Sequence, residues 1–182
     1  MSTVPTPANR EQILRRRIKF LTWLFIFGLI IAGATAIPLP TEVDWLVKIT
    51  GAQQFVQLPA STHAPAWAVW LLRIQSSLSD VNNSHPVLFY GTDWLAFGHF
   101  MIAIAFIGAL RDPVRNVWLF TFGMIACACV IPYALFFGAI RGIPFWWRLI
   151  DGSFGVFGII PVWLCRKWVG ELGEFSKHLE FD

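Results

Sequence analysis

The chain has 182 residues, of which 56% are hydrophobic and only 14% are charged, and its formal net charge is +3. Soluble domains carry about 25% charged residues, so this composition excludes an ordinary soluble protein and indicates a membrane protein of one domain. The basic residues cluster near the ends of apolar segments. This placement is typical of membrane topology, so we expect no nucleic-acid partner.

The cysteines give no sign of a disulfide framework or of a metal site. No two of them form a Cys-x-x-Cys pair, and all lie in or beside apolar segments. They are Cys127, Cys129 and Cys165. A buried cysteine most often serves as a small apolar residue, so we expect no bound metal.

The first apolar segment follows a basic cluster. We predict a cytoplasmic basic tail over 1–17, disordered over its first dozen residues, and a transmembrane helix (TM1) over 18–37. About 20 apolar residues suffice to span the hydrocarbon core. The basic stretch, the apolar run and Ala34-Thr35-Ala36 also fit a cleavable signal peptide. Because the apolar run exceeds the usual length of such peptides, we favour an uncleaved anchor.

A long outer loop over 38–91 follows, and it has structure of its own. Residues 42–55 form a candidate short helix on the membrane surface. Residues 65–80 carry apolar side chains at helical spacing, which predicts an amphipathic helix. These apolar residues are Trp67, Trp70, Leu71, Ile74 and Leu78. Their tryptophan-rich face is expected at the level of the lipid headgroups or against the bundle.

Three further apolar segments complete the chain. We place TM2 at 92–110, TM3 at 117–137 and TM4 at 145–165, followed by a polar cytoplasmic tail over 166–182. Backbone polar groups in lipid must be paired within each segment, and short links place consecutive helices side by side. The predicted fold is an all-α integral membrane protein, an antiparallel bundle of four transmembrane helices with one or two short amphipathic helices in its outer loop.

Charge placement predicts the orientation. With the N-terminus inside, most of the 14 Lys and Arg residues fall on the inner side. The positive-inside rule then places both termini in the cytoplasm. Compact loops and a simple charge bias favour a bacterial inner membrane. The lipid bilayer is therefore an expected partner.

Charged residues inside a span are the strongest functional signal in this sequence. Each costs about 2.5–3.5 kcal/mol at the centre of a helix, and less near its ends. The candidates at the outer end of the bundle are Asp93, Tyr133, Arg141, Arg148 and Asp151. They form either a site for a polar or anionic headgroup or a structural clamp in which acid and arginine satisfy each other. The sequence favours the clamp.

His99 is the one histidine in a predicted span. A neutral imidazole there can relay protons, bind a ligand or coordinate haem iron. The other histidines, His63, His85 and His178, belong to the loop and the tail, so we do not expect haem within one chain. The simpler interpretation is a hydrogen bond across a helix interface.

Small residues predict where TM4 packs. Gly155 and Gly158 share one helix face with Asp151 and Val162. Glycines on such a face allow a neighbouring backbone to approach closely, and they place Asp151 toward protein.

No catalytic motif, phosphate loop or dinucleotide fingerprint is present, so the function has to be inferred from these features. We first expect a non-catalytic subunit or scaffold of a membrane complex, with a membrane-protein partner or a homo-oligomer. The second hypothesis is a lipid-, quinone- or other amphiphile-binding site, with or without catalysis. It would use Asp93, His99, Arg141, Arg148 and Asp151. The third is a proton-coupled transporter that acts as an oligomer. The sequence identifies neither ligand nor cofactor.

Overall fold

The computed structural model describes residues 7–55 and 64–179, and these residues are helical apart from short connections. The six α-helices are α1 (Pro7–Ala36), α2 (Leu39–Thr50), α3 (Ala66–Ser84), α4 (Tyr90–Arg111), α5 (Val117–Ile140) and α6 (Phe145–Leu179). Two short 3₁₀ helices, Ala52–Phe55 and Pro86–Phe89, precede α3 and α4. Within the described ranges there is no β-strand.

Four helical segments are long and apolar enough to cross a membrane. They are Asn9–Ala36, Pro86–Arg111, Val117–Ile140 and Phe145–Gly173. This confirms the prediction of an all-helical chain with four candidate spans, and it fits an integral membrane protein.

The chain divides into two compact units. The first comprises residues 1–28 and 102–182, and the second comprises residues 29–101. The first unit therefore contains the start of α1, the end of α4, and the whole of α5 and α6. The second contains α2, α3 and the remaining parts of α1 and α4.

The α1 and α6 helices are longer than the membrane spans predicted for them. The α1 helix begins at Pro7, ahead of the predicted span 18–37, and α6 continues to Leu179, beyond the predicted span 145–165. Residues 7–12 are thus helical, which corrects the expectation of disorder, whereas residues 1–6 and 180–182 lie outside the described residues. With 30 residues α1 is about 45 Å long, more than the hydrocarbon core requires.

The extended parts of α1 and α6 pack against each other. On α1 every fourth residue is buried, through Leu14, Ile18, Thr22 and Ile26. The Thr22 hydroxyl donates to the carbonyl oxygen of Ile18 (2.7 Å) and lies 3.8 Å from the Cys165 Sγ on α6. This apolar face runs straight through the basic stretch, so the charged residues occupy only the outer side of a packed helix.

An ion pair joins the far ends of the same two helices. The Nη2 of Arg10 lies 3.3 Å from the Oε2 of Glu171. Both side chains are substantially exposed, so this pair contributes little to stability and mainly marks the contact between the two helix ends.

Phe106 is the centre of the aromatic core of the first unit. Its side chain is fully buried, and its ring centroid lies 4.8 Å from that of Phe25 and 6.1 Å from that of Phe120. The rings of Phe106 and Phe25 pack over Gly123 of α5, where an added methyl group would lie 3.1 Å from Phe106. The glycine gives the ring its space.

In this unit α5 and α6 approach each other closely. A methyl group added at Gly155 would collide with the backbone carbonyl oxygen of Cys127, and one added at Gly158 would lie 2.9 Å from the Cys127 sulfur. Only small residues at these positions allow the two backbones to come so near.

The second unit contains the two helices of the long loop. The α2 helix packs against α3, and the buried residues include Val43 and Val47 on α2 and Leu71 on α3. The Gln75 amide donates to the Asp44 carboxylate (2.7 Å), which links the two helices on their polar side. Residues 56–63, including His63, lie outside the described residues.

We predict that Gly155→Ala destabilises the protein. The added methyl meets a backbone atom that cannot move cheaply, and overpacking of this kind costs about 1–3 kcal/mol. The midpoint of thermal unfolding in detergent should fall by about 2–10 °C. Gly170→Ala on the same helix is the control, because a methyl group there meets nothing within 4 Å. Equal stability of both variants would contradict the close approach.

Candidate functional site

The turn between α5 and α6 is built by backbone hydrogen bonds around a glycine. Gly142 has a φ of +69°, a conformation that residues with a Cβ rarely adopt. The amide of Ile143 donates to the Gly138 carbonyl (2.9 Å), and the Gly142 amide donates to the Ala139 carbonyl (3.1 Å). This is a Schellman motif, and Pro144 then leads into α6. We name residues 138–144 the α5–α6 turn.

Arg148, one turn into α6, folds back over α5. Its Nη1 donates to the backbone carbonyl oxygen of Leu135 (3.0 Å), and its Cζ lies 5.3 Å from the centroid of the Phe145 ring. A methyl group added at Gly138 would lie only 2.6 Å from its Cγ and Cδ. The glycine therefore provides the surface on which the arginine stem lies.

The guanidinium of Arg148 is only partly satisfied. Its Nε is buried and has no hydrogen-bond partner within residues 7–55 and 64–179. The Arg148–Asp151 ion pair expected for a structural clamp is not formed in the described part of the chain, where the ion pairs are Arg10–Glu171 and Arg15–Glu11. Arg148 is held by a backbone carbonyl and an aromatic ring instead.

A groove of about 560 Å³ lies between α5, the α5–α6 turn and α6. Its lining residues are Ala126, Cys129, Val130, Tyr133, Ala134, Phe137, Gly138, Arg141, Ile143 and Asp151. The wall is almost entirely apolar, and its two charged residues are Arg141 and Asp151. We name this cleft the α5–α6 groove.

Neither charge in the α5–α6 groove has a partner among the described residues. The Asp151 carboxylate is half-buried, accepts no hydrogen bond and forms no ion pair. Arg141 is exposed, and its guanidinium likewise makes neither kind of contact. The groove thus combines an apolar wall with one free cation and one free anion.

Tyr133 lies on the wall of the groove. Its ring is 66% exposed and stacks at 4.4 Å, centroid to centroid, on that of Phe137. Its hydroxyl forms no hydrogen bond within the described residues, so it is free to bond to a ligand.

Two sequence candidates, Asp93 and His99, belong to the second unit and are not among the residues that line the groove. Asp93 is exposed in the first turn of α4, where a carboxylate interacts favourably with the positive end of the helix dipole. This interaction accounts for the position of Asp93 without a ligand.

His99 is bonded within its own helix. Its Nδ1 lies 2.8 Å from the backbone carbonyl oxygen of Leu95, and because a carbonyl only accepts, Nδ1 is the donor of this bond. The expected hydrogen bond across a helix interface is not formed with any residue that the structure describes. The contact across the interface is steric, since a methyl group at Gly33 on α1 would lie 3.1 Å from the His99 Cβ.

Comparison with known proteins assigns no function to these features. Comparisons with protein-family models, with curated proteins and with solved structures give no match. Among the residues that the structure describes, no group of three or more His, Cys, Asp or Glu side chains is placed to hold a metal ion. The function is therefore argued from the geometry of the groove.

The sequence did not identify Gly138 or the two alanines of the groove wall as residues of the site. Ala126 and Ala134 are eight residues apart on α5 and so share a helix face with Val130. The signal was present as small residues at spacings of eight and four, Ala126, Ala134 and Gly138. It is a weak signal, because alanine is common in any apolar helix.

We predict that Gly138→Ala destabilises the protein because it displaces Arg148. The added methyl occupies the space of the arginine stem, so the loss should largely disappear in an Arg148→Ala background. The coupling energy from the double-mutant cycle, measured by thermal unfolding, should be about 0.5–3 kcal/mol. Additive effects of the two substitutions would show that Arg148 does not lie over Gly138.

Proposed function

We propose that this integral membrane protein binds an amphiphile, with its apolar part in the α5–α6 groove and its polar head between Arg141 and Asp151. The observation that carries the proposal is the pair of unpaired charges on an otherwise apolar wall. This develops the second of the three hypotheses from the sequence, in which the charges bind a ligand and do not clamp two helices together.

The cost of intramembrane charge supports a ligand. A charge within a span costs up to about 2.5–3.5 kcal/mol, and such residues normally face one another or a water-filled cavity. Here Asp151 has no partner in the described part of the chain, and Arg148 is engaged elsewhere. A head group that supplies a cation or a donor to Asp151 and an anion to Arg141 would offset that cost.

The size and lining of the groove also support a ligand. Its volume of about 560 Å³ lies within the range of about 300–1,000 Å³ that is usual for small-molecule sites. Such sites combine apolar walls with a few polar groups that fix the orientation of the ligand, as Arg141, Asp151 and Tyr133 would here.

The proposal includes a position in the membrane. Four antiparallel spans with both termini in the cytoplasm place the α5–α6 turn at the outer face, and a bacterial inner membrane fits the charge bias of the links. Arg141 then lies near the level of the lipid headgroups, and the groove opens toward the acyl chains.

We predict that filling the groove removes the ligand. Ala134→Leu adds a branched side chain to the wall, whereas Ala128→Leu, the control, adds it to an exposed position of the same helix outside the groove. Native mass spectrometry of the protein purified in a mild detergent should show a bound amphiphile in the wild type and in the control. It should be lost from the Ala134→Leu variant.

Two results would count against this function. One is the absence of any bound amphiphile from the wild-type protein. The other is equal retention in the Ala134→Leu and Ala128→Leu variants, which would place the ligand elsewhere. Unchanged thermal unfolding of both variants without ligand would exclude a general loss of structure.

A second candidate, a subunit or scaffold of a membrane complex, is favoured by the exposed side of α2. Val43 and Val47 are buried, yet Trp45 and Ile49 on another face of the same helix are 62% and 77% exposed. Exposed apolar surface of this kind often marks a contact with a protein or with lipid. The partner would be another membrane protein or a second copy of this chain.

We predict that a photo-crosslinking amino acid at Ile49 forms a protein adduct in native membranes if this second function holds. The matched control is Gln53, which is exposed on the following 3₁₀ helix and is polar. Adducts with lipid alone at Ile49 would show that this face lies on the bilayer surface, and they would count against the subunit function.

A further inference from the structure

From the order of the charges along the α5–α6 groove we infer the class of amphiphile: a single-chain phospholipid with a free glycerol hydroxyl, such as a lysophosphatidate. This inference rests on the proposed function and makes it specific. It requires that the anion of the ligand lie at the turn and that a hydrogen-bond donor lie deeper, next to the acyl chain.

Contacts between α5 and α6 indicate the depth of each charge. Gly138 lies against Arg148, and Gly158 lies against the Cys127 sulfur. Arg141 lies three residues beyond Gly138, within the α5–α6 turn, whereas Asp151 lies three residues beyond Arg148, deeper along α6. At 1.5 Å per residue the two positions are therefore about 9 Å apart along the groove, with Arg141 at the turn.

The chemistry of the two side chains determines which group of the ligand each position can bind. A guanidinium only donates, and it binds phosphate with two parallel hydrogen bonds. An ionised carboxylate only accepts, so the ligand must present a hydroxyl or an ammonium group to Asp151. The order from the turn inward is thus an anion, then a donor, then an apolar chain along Val130 and Ala126.

Common membrane amphiphiles differ in this order. A quinone head presents only carbonyl acceptors, which leaves Asp151 without a donor. Diacyl phospholipids have ester groups on the inner side of the phosphate, and the hydroxyl or ammonium of their heads lies on its outer side. A lysophosphatidate carries its free hydroxyl between the phosphate and the acyl chain, which matches the order of Arg141 and Asp151.

The test is a binding series with purified full-length protein in detergent, read by native mass spectrometry. The probe is 1-oleoyl lysophosphatidate, and three analogues each change one feature. Oleoyl propanediol phosphate lacks the hydroxyl, monooleoylglycerol lacks the phosphate, and dioleoyl phosphatidate replaces the hydroxyl by a second chain. The wild-type protein should bind the probe about tenfold or more tightly than each analogue.

Two variants test separately the contact of the ligand with Asp151 and its contact with Arg141. Asp151→Ala should reduce the affinity for the probe to that for the propanediol analogue, and it should leave the affinity for that analogue unchanged. Arg141→Ala should lower the affinity for all three phosphate-bearing lipids and leave the affinity for monooleoylglycerol unchanged. Asp80→Ala and Arg115→Ala are the charge-matched controls, since both residues are exposed and lie outside the groove. The controls should bind all four lipids as the wild type does.

The outcomes separate this inference from the proposed function. If the probe and the propanediol or diacyl analogue bind with equal affinity, the inference of a lysophospholipid is wrong. The proposed function, a groove that binds an amphiphile, would still stand. Failure of all four lipids to bind, together with no co-purified amphiphile, would overturn both. If Asp151→Ala does not fold, the ligand series on the wild-type protein still decides between these outcomes.

Discussion

The close approach of α5 to α6 is the constraint on which the candidate site depends. Gly155 and Gly158 place the backbone of α6 against Cys127, and no larger side chain fits between them. This contact fixes the register of the two helices, so that Arg148 falls on Gly138 and Asp151 falls on the groove wall. Because packing between helices in lipid relies on such close contact and not on the hydrophobic effect, a few small residues determine where the charges lie.

Arg148 and Asp151 are three residues apart on one helix, yet they serve different purposes. Arg148 crosses to α5, donates to the Leu135 carbonyl and covers the Phe145 ring, which leaves Asp151 without a cation of its own. A buried pair would have neutralised both groups and given a structural clamp. Arg148 is instead bound to α5, and the resulting unpaired acceptor at Asp151 on an apolar wall is the chemical basis of the proposed function.

Hydropathy located the spans, because a run of about 20 apolar residues is rare outside a membrane-spanning helix. The small residues Gly155 and Gly158 were also visible in the sequence. The extent of the helices at their ends could not be predicted, because the buried positions there alternate with charged residues around Ile18. Leu14 and Ile18 can be recognised as core residues only when the face of α6 that packs against them is known. The contacts of Arg148 could not be predicted either. Helical spacing places it beside Asp151, and only the open surface at Gly138 allows it to lie on the other helix.

The pairing of α1 with α6 also has a consequence for biogenesis. Thr22 and Cys165 meet although 143 residues separate them in the sequence. At a synthesis rate of about 5–20 residues per second, α6 leaves the ribosome about 7–30 s after α1. The bond from the Thr22 hydroxyl to the Ile18 carbonyl lies within α1, so it does not depend on the presence of α6. We therefore expect α1 to form with the Thr22 hydroxyl on its core face already hydrogen-bonded before α6 is synthesised.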